Sequence, residues 1–151
     1  MTKLGILKKC SLTSELTDEQ LGKIADMCDE ETFEIGEHLG RQGRLLEKVY
    51  IIEDGLVGIY LELGPMSKRQ LQAASNFEVV CWEAMMPPYR STSTGTAIET
   101  TKVLAFNGEE LLNLCFTNPG LGCRLGQCLA SIVQSRLNSA YSQLMGVAAQ
   151  E

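Results

Sequence analysis

Apolar residues near the start of the chain recur at helical spacing and predict two short helices. The first spans Thr2–Cys10. The second begins at Thr17, because Thr17 and Gln20 have the residue types and the spacing of a capping box. Apolar residues at helical spacing continue this second helix as far as Cys28. We expect both helices, within residues 1–28, to pack against the rest of a single domain.

From Glu30 to about Phe106 the period of the apolar residues falls from about 3.6 to about 2, which is typical of strands. The alternation and the intervening turn residues predict eight strands: Glu31–Ile35, Glu37–Arg41, Lys48–Glu53, Leu56–Leu63, Arg69–Ala74, Phe77–Cys81, Thr92–Ile98 and Lys102–Phe106. Asp54-Gly55 has the sequence of a two-residue hairpin turn. With helices confined to the two ends, residues 30–106 predict a mainly β domain, an antiparallel jelly-roll barrel with flanking helices.

Two further helices are predicted over residues 107–146. Asn107 is a suitable N-cap for Gly108–Phe116, and Thr117-Asn118-Pro119 then interrupts the helical pattern. The long helix that follows, Gly120–Met145, carries a stripe wider than one face of a globular helix needs: Leu121, Leu125, Cys128, Leu129, Ile132, Val133, Arg136, Leu137, Ala140 and Leu144. We expect this helix to pair with its own copy as a homodimer. The alternative is a lid folded back on a monomer.

One stretch of the chain, Val79–Ala97, combines a buried strand, one turn of helix, two prolines, an arginine and a second strand. Val79-Val80 predicts the covered strand, and Trp82–Met86 predicts the helical turn. Pro87-Pro88 ends that turn, because a proline disfavours helical geometry in the residue before it and has no N–H to donate. We call residues 79–97 the cassette.

The cassette has the components of a site for one phosphate. A helix N-terminus presents unpaired N–H groups and a partial positive charge, here at Trp82, Glu83 and Ala84. Arg90 is expected to return past the prolines to the same point, where its guanidinium could grip two phosphate oxygens. Three hydroxyl residues follow it, namely Ser91, Thr92 and Ser93. The alternative is a solvated turn in which Arg90 pairs with a nearby carboxylate.

Composition narrows the classes of partner. The chain has 151 residues, 44% of them hydrophobic, which suits a single domain with a sizeable core. Its 13 Lys and Arg residues against 19 Asp and Glu give a formal charge of −6 and a pI of about 4.9, which argues against a nucleic-acid surface. No apolar run reaches membrane-spanning length, and Met1–Lys9 lacks the apolar segment of a signal peptide. We expect a cytoplasmic protein.

The cysteine and histidine content argues against metal and covalent chemistry. None of the six cysteines forms a Cys-x-x-Cys pair, and most stand within apolar segments. We expect reduced thiols that pack as small apolar groups. His38 is the single histidine, which excludes a multi-histidine metal centre. The prediction is a protein that is not an enzyme and carries no metal or cofactor.

Four segments form a specific combination: Leu12 with Leu16-Thr17, Val49–Gly55, the cassette, and Ser135-Arg136-Leu137. Together, over Leu7–Leu144, they resemble the cyclic nucleotide-binding domain family, which includes the catabolite activator protein and the regulatory subunit of protein kinase A. In that family the short helix and its arginine bind the ligand's phosphate, usually through Gly-Glu-x-Ala-Leu followed by Arg-x-x-Thr. The resemblance implies a stand-alone domain of this type.

The cassette departs from the family's pattern at two places. Cys81 stands at the glycine place and Trp82 at the glutamate place, while Arg90 and Ser93 fit the arginine and threonine places. The family's glutamate accepts a bond from the ribose hydroxyl, and Glu83, one residue later, points about 100° away from that place. The resemblance therefore implies a loss of about 1.5–3 kcal/mol, one to two powers of ten in affinity.

The resemblance also implies a ligand and a mode of action. The family's final helix covers the ligand's base, so Tyr141 could stack on a purine or bond to it, the alternative being packing in a dimer seam. We expect a non-enzymatic sensor that binds cAMP or cGMP, cAMP first, and relays binding through the final helix. The alternative is a degenerate relative that serves as a dimerisation or interaction module. Only Gly146–Glu151 follow the long helix, so direct DNA binding by this chain is not expected; the alternative is a fragment of a longer regulator.

Overall fold

The computed structural model describes residues 1–150, with side chains as far as Gly146. Two short helices, eight strands and two C-terminal helices follow one another in that order. The helices are α1 (Lys3–Lys9), α2 (Asp18–Asp26), α3 (Gly108–Thr117) and α4 (Pro119–Gln150). The strands are β1 (Cys28–Phe33), β2 (His38–Gly40), β3 (Lys48–Asp54), β4 (Val57–Gly64), β5 (Ser67–Ala74), β6 (Val79–Val80), β7 (Thr94–Ala97) and β8 (Thr101–Asn107). The predicted fold class, mainly β with flanking helices, is confirmed.

The start of α2 follows the predicted capping box. The Thr17 backbone N–H donates to Oε1 of Gln20 at 3.0 Å, and the Gln20 N–H donates to Oγ1 of Thr17 at 3.2 Å. The predicted end of this helix is wrong, because α2 stops at Asp26 and Cys28 already begins β1. Cys28 pairs with Phe106 of β8, so a long-range strand contact outweighs the local helical spacing.

The eight strands form two four-stranded antiparallel sheets, in the orders β1-β8-β3-β6 and β2-β7-β4-β5. The predicted hairpin at Asp54-Gly55 is wrong, because β3 pairs with β6 and β8 whereas β4 pairs with β5 and β7. The turn instead carries the chain from one sheet to the other. A side chain at position 55 would collide with Thr101, so Gly55 permits the close passage of the turn beside β8.

The strands of the cassette are shorter than the sequence predicts. β6 covers two residues of the predicted Phe77–Cys81, and β7 covers four of the predicted Thr92–Ile98. Phe77 and Cys81 have φ values of 70° and 63°. Since a residue with such a left-handed backbone cannot continue a strand, these two positions limit β6 at both ends.

Two apolar clusters form the core. The larger one joins α1, α2, the β1-β8-β3-β6 sheet, α3 and the first turns of α4, with Phe106 1% exposed. The smaller one lies between the two sheets and includes Ile52 and Val103, both fully buried. The larger cluster fixes the N-terminal and C-terminal helices on the same sheet, which carries β6 and therefore the start of the cassette.

The two C-terminal helices start at residues suited to a helix N-terminus, and the first of them starts beside the cassette. Oδ1 of Asn107 accepts from the Glu110 N–H at 3.0 Å, as predicted for the N-cap of α3. A side chain at Gly108 would collide with the backbone of Ala84, so α3 starts directly against the short helix of the cassette. α4 begins at Pro119, one residue earlier than predicted, since proline suits the first position of a helix.

Candidate ligand-binding site

The predicted helical turn of the cassette is present as four residues of 3-10 helix, Trp82–Met85. The N–H of Ala84 already donates to the carbonyl of Cys81 at 3.2 Å, so Ala84 is not an unpaired donor as predicted. Within the described residues, the Trp82 and Glu83 N–H groups have no protein acceptor. The cassette therefore presents two backbone donors rather than three at the start of its short helix.

Cys81 adopts the conformation expected of a glycine. Its φ and ψ values are 63° and 33°, in the left-handed region that costs a non-glycine residue about 1–2 kcal/mol. Burial and, to a smaller extent, the nearby Glu83 carboxylate raise the pKa of its thiol to about 12, so the thiol is neutral at physiological pH. This thiol is a packed apolar group rather than a nucleophile.

Glu83 and Thr92 are brought together by the fold. Oε2 of Glu83 accepts from the backbone N–H and from the hydroxyl of Thr92, both at 2.8 Å. The N–H and the hydroxyl of Thr92, which were expected to be available to a phosphate, are thus hydrogen-bonded to a carboxylate of the same chain. A bound anion would meet the charge of Glu83 at this point, and like charges at hydrogen-bond distance repel.

The other two hydroxyl residues of the predicted set lie at the same place. Ser91 is buried, and its hydroxyl donates to the carbonyl of Ser93 at 2.5 Å. Both serines line the small cavity described below. Their position beside the short helix agrees with the predicted layout of the cassette, and their role toward a ligand stays a prediction.

The Arg90 side chain lies elsewhere. Its backbone bridges to Leu45, and Nη1 donates to the carbonyl of Gly43 at 2.8 Å. The residue is exposed and lines neither of the cavities beside the short helix. The Arg90 guanidinium therefore does not lie at the start of the short helix as expected, because it is hydrogen-bonded to the carbonyl of Gly43 instead.

Arg136 of α4 reaches into the cassette instead. Nη2 donates to the carbonyl of Val79 at 2.9 Å, and the guanidinium carbon lies 4.6 Å from the centre of the Trp82 ring. The Glu78 carboxylate is 3.9 Å away, and the side chain of Arg136 is 15% exposed. Burial lowers the pKa of the guanidinium, and Glu78 and Glu83 act against that shift. Arg136 was not predicted as a site residue. The feature of the sequence that could have identified it is a charged residue within the apolar stripe of α4.

Arg136 lines three cavities, and two of them share several lining residues with the cassette. The small one has a volume of about 30 Å³ and is bounded by the short helix, Ser91 and Gly95. The large one has a volume of about 310 Å³ and lies between β4, β5 and α4. Five residues line both cavities: Ile59, Trp82, Thr92, Ser93 and Arg136. The site therefore consists of two neighbouring cavities, a small polar one in the cassette and a large, mainly apolar one beside α4.

Tyr141 does not face this space. It is 53% exposed and is absent from the lining of both cavities, whereas Ala140 and Leu137 line the large one. A one-residue step along a helix rotates the side chain by about 100°, which turns Tyr141 away from the cassette. The predicted stacking of Tyr141 on a base is not supported by this position.

Other chemistry is sparse within the part of the chain that the structure describes. All six cysteines are free; Cys123 is exposed, which departs from the expected apolar packing of the thiols. Among residues 1–150, no three His, Cys, Asp or Glu side chains are grouped closely enough to hold a metal ion. None of the described helices combines the length and the apolar content that crossing a membrane requires. The space around Arg136 is the best-developed candidate site.

A jelly-roll domain with a short helix inserted between two strands and a long final helix is the architecture of a class of ligand-binding domains. The chain belongs to the cyclic nucleotide-binding domain family, whose model matches residues 30–118. No curated protein matches the chain.

Solved structures share the fold at low sequence identity. A cyclic nucleotide-binding domain from Methylobacillus flagellatus has a TM-score of 0.82 and 14% identity, covering 95% of this chain and 81% of its own. The catabolite activator protein of Thermus thermophilus has a TM-score of 0.74 and 22% identity, covering 91% and 63%. The regulatory subunit of a cAMP-independent protein kinase A from Trypanosoma brucei, a mutant bound to cAMP, has a TM-score of 0.74 and 15% identity, covering 97% and 50%. These likenesses establish the fold alone.

Proposed function

We propose that the chain is a non-enzymatic regulatory module in which a ligand between the cassette and α4 controls the position of α4. The observation that carries the proposal is the contact of Arg136, which belongs to α4 but bonds to Val79 and stacks on Trp82. A ligand in this space has to pair with the guanidinium or displace it. Either event favours one position of α4 over another, which is the requirement for a binding-driven switch.

A cyclic nucleotide is the ligand that family membership suggests, with cAMP expected first. The free N–H groups of Trp82 and Glu83 suit a phosphate. Binding requires Glu83 to release Thr92, and Arg90 to turn from Gly43 into the cassette. Because Trp82 offers no acceptor to the ribose, we expect affinity one to two powers of ten below that of a site with the glutamate.

Isothermal titration calorimetry with cAMP and cGMP tests this ligand. Glu83→Gln removes the charge opposed to the phosphate and is expected to strengthen binding. Arg90→Ala is expected to abolish it, whereas Arg44→Ala, an exposed arginine on the adjoining turn, serves as the matched control. Absence of binding by folded wild type and by the Glu83→Gln variant would exclude the cyclic nucleotide.

A second candidate function is an interaction module that has lost nucleotide binding. The specific observation in its favour is the pair of 2.8 Å bonds by which Glu83 occupies the Thr92 donors. The Trypanosoma brucei protein, described as cAMP-independent, has the same fold, so the fold does not determine the ligand. Binding of either nucleotide in the micromolar range would exclude this function.

We also propose that the module is a homodimer through α4. Six positions along the helix alternate at spacings of four and three, as in a coiled-coil seam: Gly126, Ala130, Val133, Leu137, Ala140 and Leu144. Leu137 and Leu144 are 48% and 65% exposed, so a partner helix would cover them. Leu137→Asp should give a monomer in sedimentation equilibrium, and Asn138→Asp, one residue off the seam, should leave the dimer intact. A monomeric wild type would contradict the proposal.

A further inference from the structure

The large cavity has the wall chemistry of a site for an apolar ligand. Its volume is about 310 Å³, within the range of small-molecule sites. Leu61 and Leu71 form the sheet side, Val133 and Leu137 form the helix side, and the Trp82 ring closes the end toward the cassette. Hydrocarbon walls of this kind favour the burial of rings, and Gln72, Thr92 and Ser93 supply the uncharged polar part of the lining.

Among the side chains that the structure describes, Arg136 is the one charged group that lines this cavity. A guanidinium has five N–H donors, and the bond to Val79 uses one of them. Two carboxylates near Arg136 line neighbouring cavities: Glu83 lines the small cavity, and Glu78 lines a polar cleft that shares Gln72 and Arg136 with the large one. The guanidinium is thus a cation at the edge of a mainly apolar cavity; an acid bound there shares it with Glu78, whose carboxylate is 3.9 Å away.

We propose that the large cavity binds an aromatic monoanion, a carboxylate or sulfonate carried by fused or linked rings. The acid group pairs with Arg136, and the rings lie against Trp82, Leu61 and Leu71. A planar acid forms two parallel bonds with a guanidinium, and the low-polarity surroundings strengthen them. The proposal rests on the assignment of this cavity to the ligand, but it needs neither the phosphate donors of the cassette nor a ribose acceptor at position 82.

The test compares two probes of nearly equal shape by their fluorescence: 1-anilinonaphthalene-8-sulfonate, which is an anion, and N-phenyl-1-naphthylamine, which is neutral. Wild type should bind the sulfonate at least about tenfold more tightly, the effect of one charged hydrogen bond. Arg136→Gln should remove this preference. Arg124→Gln, a change of an exposed arginine on the same helix, should retain it. Equal binding of both probes by wild type would overturn the proposal without recourse to any variant.

Two further variants locate the probe. Ala140→Leu fills part of the large cavity and should weaken the binding of both probes; because Ala140 also lies in the proposed dimer seam, the comparison is made at a protein concentration where sedimentation shows the same oligomeric state for variant and wild type. Phe116→Ala alters a second apolar cavity, of about 370 Å³ between α3, α4 and the short helix, and should change neither affinity. Loss of binding in Phe116→Ala with retention in Ala140→Leu would overturn the assignment.

The proposal can fail independently of the proposed function. A protein that binds cAMP and moves α4, but shows no preference for the sulfonate, would overturn the ligand class and leave the regulatory function in place. A protein that prefers the sulfonate through Arg136 while hydrogen exchange in α4 is unchanged would support the ligand class and overturn the regulatory function.

Discussion

The two halves of α4 differ in how they meet the rest of the domain. In the proximal half, residues 119–129, Leu121 and Leu125 are each 1% exposed and belong to the larger core cluster. In the distal half, residues 130–146, Leu137 and Leu144 are 48% and 65% exposed. One continuous helix is therefore an integral part of the core at one end and a largely uncovered surface at the other.

The distal half makes polar contacts with the rest of the domain. Arg136 donates to the carbonyl of Val79, and Gln143 donates to the carbonyl of Leu71. Such polar contacts can be exchanged for bonds to a ligand or to water at little net cost, whereas buried apolar area cannot. The proximal half is thus anchored in the core, and under the proposed function the distal half is the part of α4 that a ligand would move.

Truncation of one leucine in each half tests the comparison most strongly. Leu125→Ala should lower the free energy of unfolding by about 2–5 kcal/mol, because it leaves a cavity in the core. Leu137→Ala should lower it by about 0.5 kcal/mol, because the side chain is half exposed. Urea denaturation in dilute solution measures both, since dilution minimises any contribution of a dimer. Equal losses would refute the division of α4 into anchor and movable half.

Removal of the main contact of the distal half should have a smaller effect. Arg136→Ala should cost about 1.5–3 kcal/mol, the range of a hydrogen bond from a charged group. Arg124→Ala removes an exposed arginine 3.8 Å from Glu15 and should cost about 0–1 kcal/mol. Hydrogen exchange should accelerate in residues 130–146 of the Arg136 variant and stay unchanged in residues 119–129. Acceleration along the whole helix would show that the two halves are not independent.

How well the sequence predicts a region depends on how far apart in the chain its interacting residues lie. The capping box at Thr17 and the N-cap at Asn107 depend on residues three apart, and both are confirmed. Asp54-Gly55 was correctly identified as a turn but wrongly as a hairpin, because residue types specify a local bend without specifying the partner strands. Strand pairing depends on contacts across the whole domain, which periodicity does not contain.

The same limit applies to the candidate site. The short helix and the serines beside it are local and were predicted in place. Arg136 lies 57 residues from Val79 in the sequence, so the pattern gives its face on the helix but not its distance from the cassette. Arg90 shows the converse: its neighbourhood in sequence suggested a contact with the start of the short helix, whereas in the structure its guanidinium donates to the carbonyl of Gly43.

The backbone of Cys81, directly before the short helix that Arg136 contacts, offers a finer test. Cys81→Gly should relieve its left-handed backbone, at φ 63°, whereas Cys81→Ala should retain the strain. Both variants lose the packing of the thiol, so the difference between them isolates the backbone. The glycine variant should be more stable than the alanine variant by about 1 kcal/mol in urea denaturation. An alanine variant equal to or more stable than the glycine variant would show that Cys81 is not strained.

The smallest expected effect is spectroscopic. Trp82 is the single tryptophan of the chain, and the guanidinium of Arg136 covers one face of its ring at 4.6 Å. Arg136→Ala should expose that face, so that quenching of tryptophan emission by acrylamide increases, while Arg124→Ala leaves it unchanged. Leu125→Ala is the informative comparison, because a folded Leu125 variant disturbs the anchor without touching the ring. If Leu125→Ala increases quenching as much as Arg136→Ala does, the distal half follows the anchor and has no separate hold on the cassette.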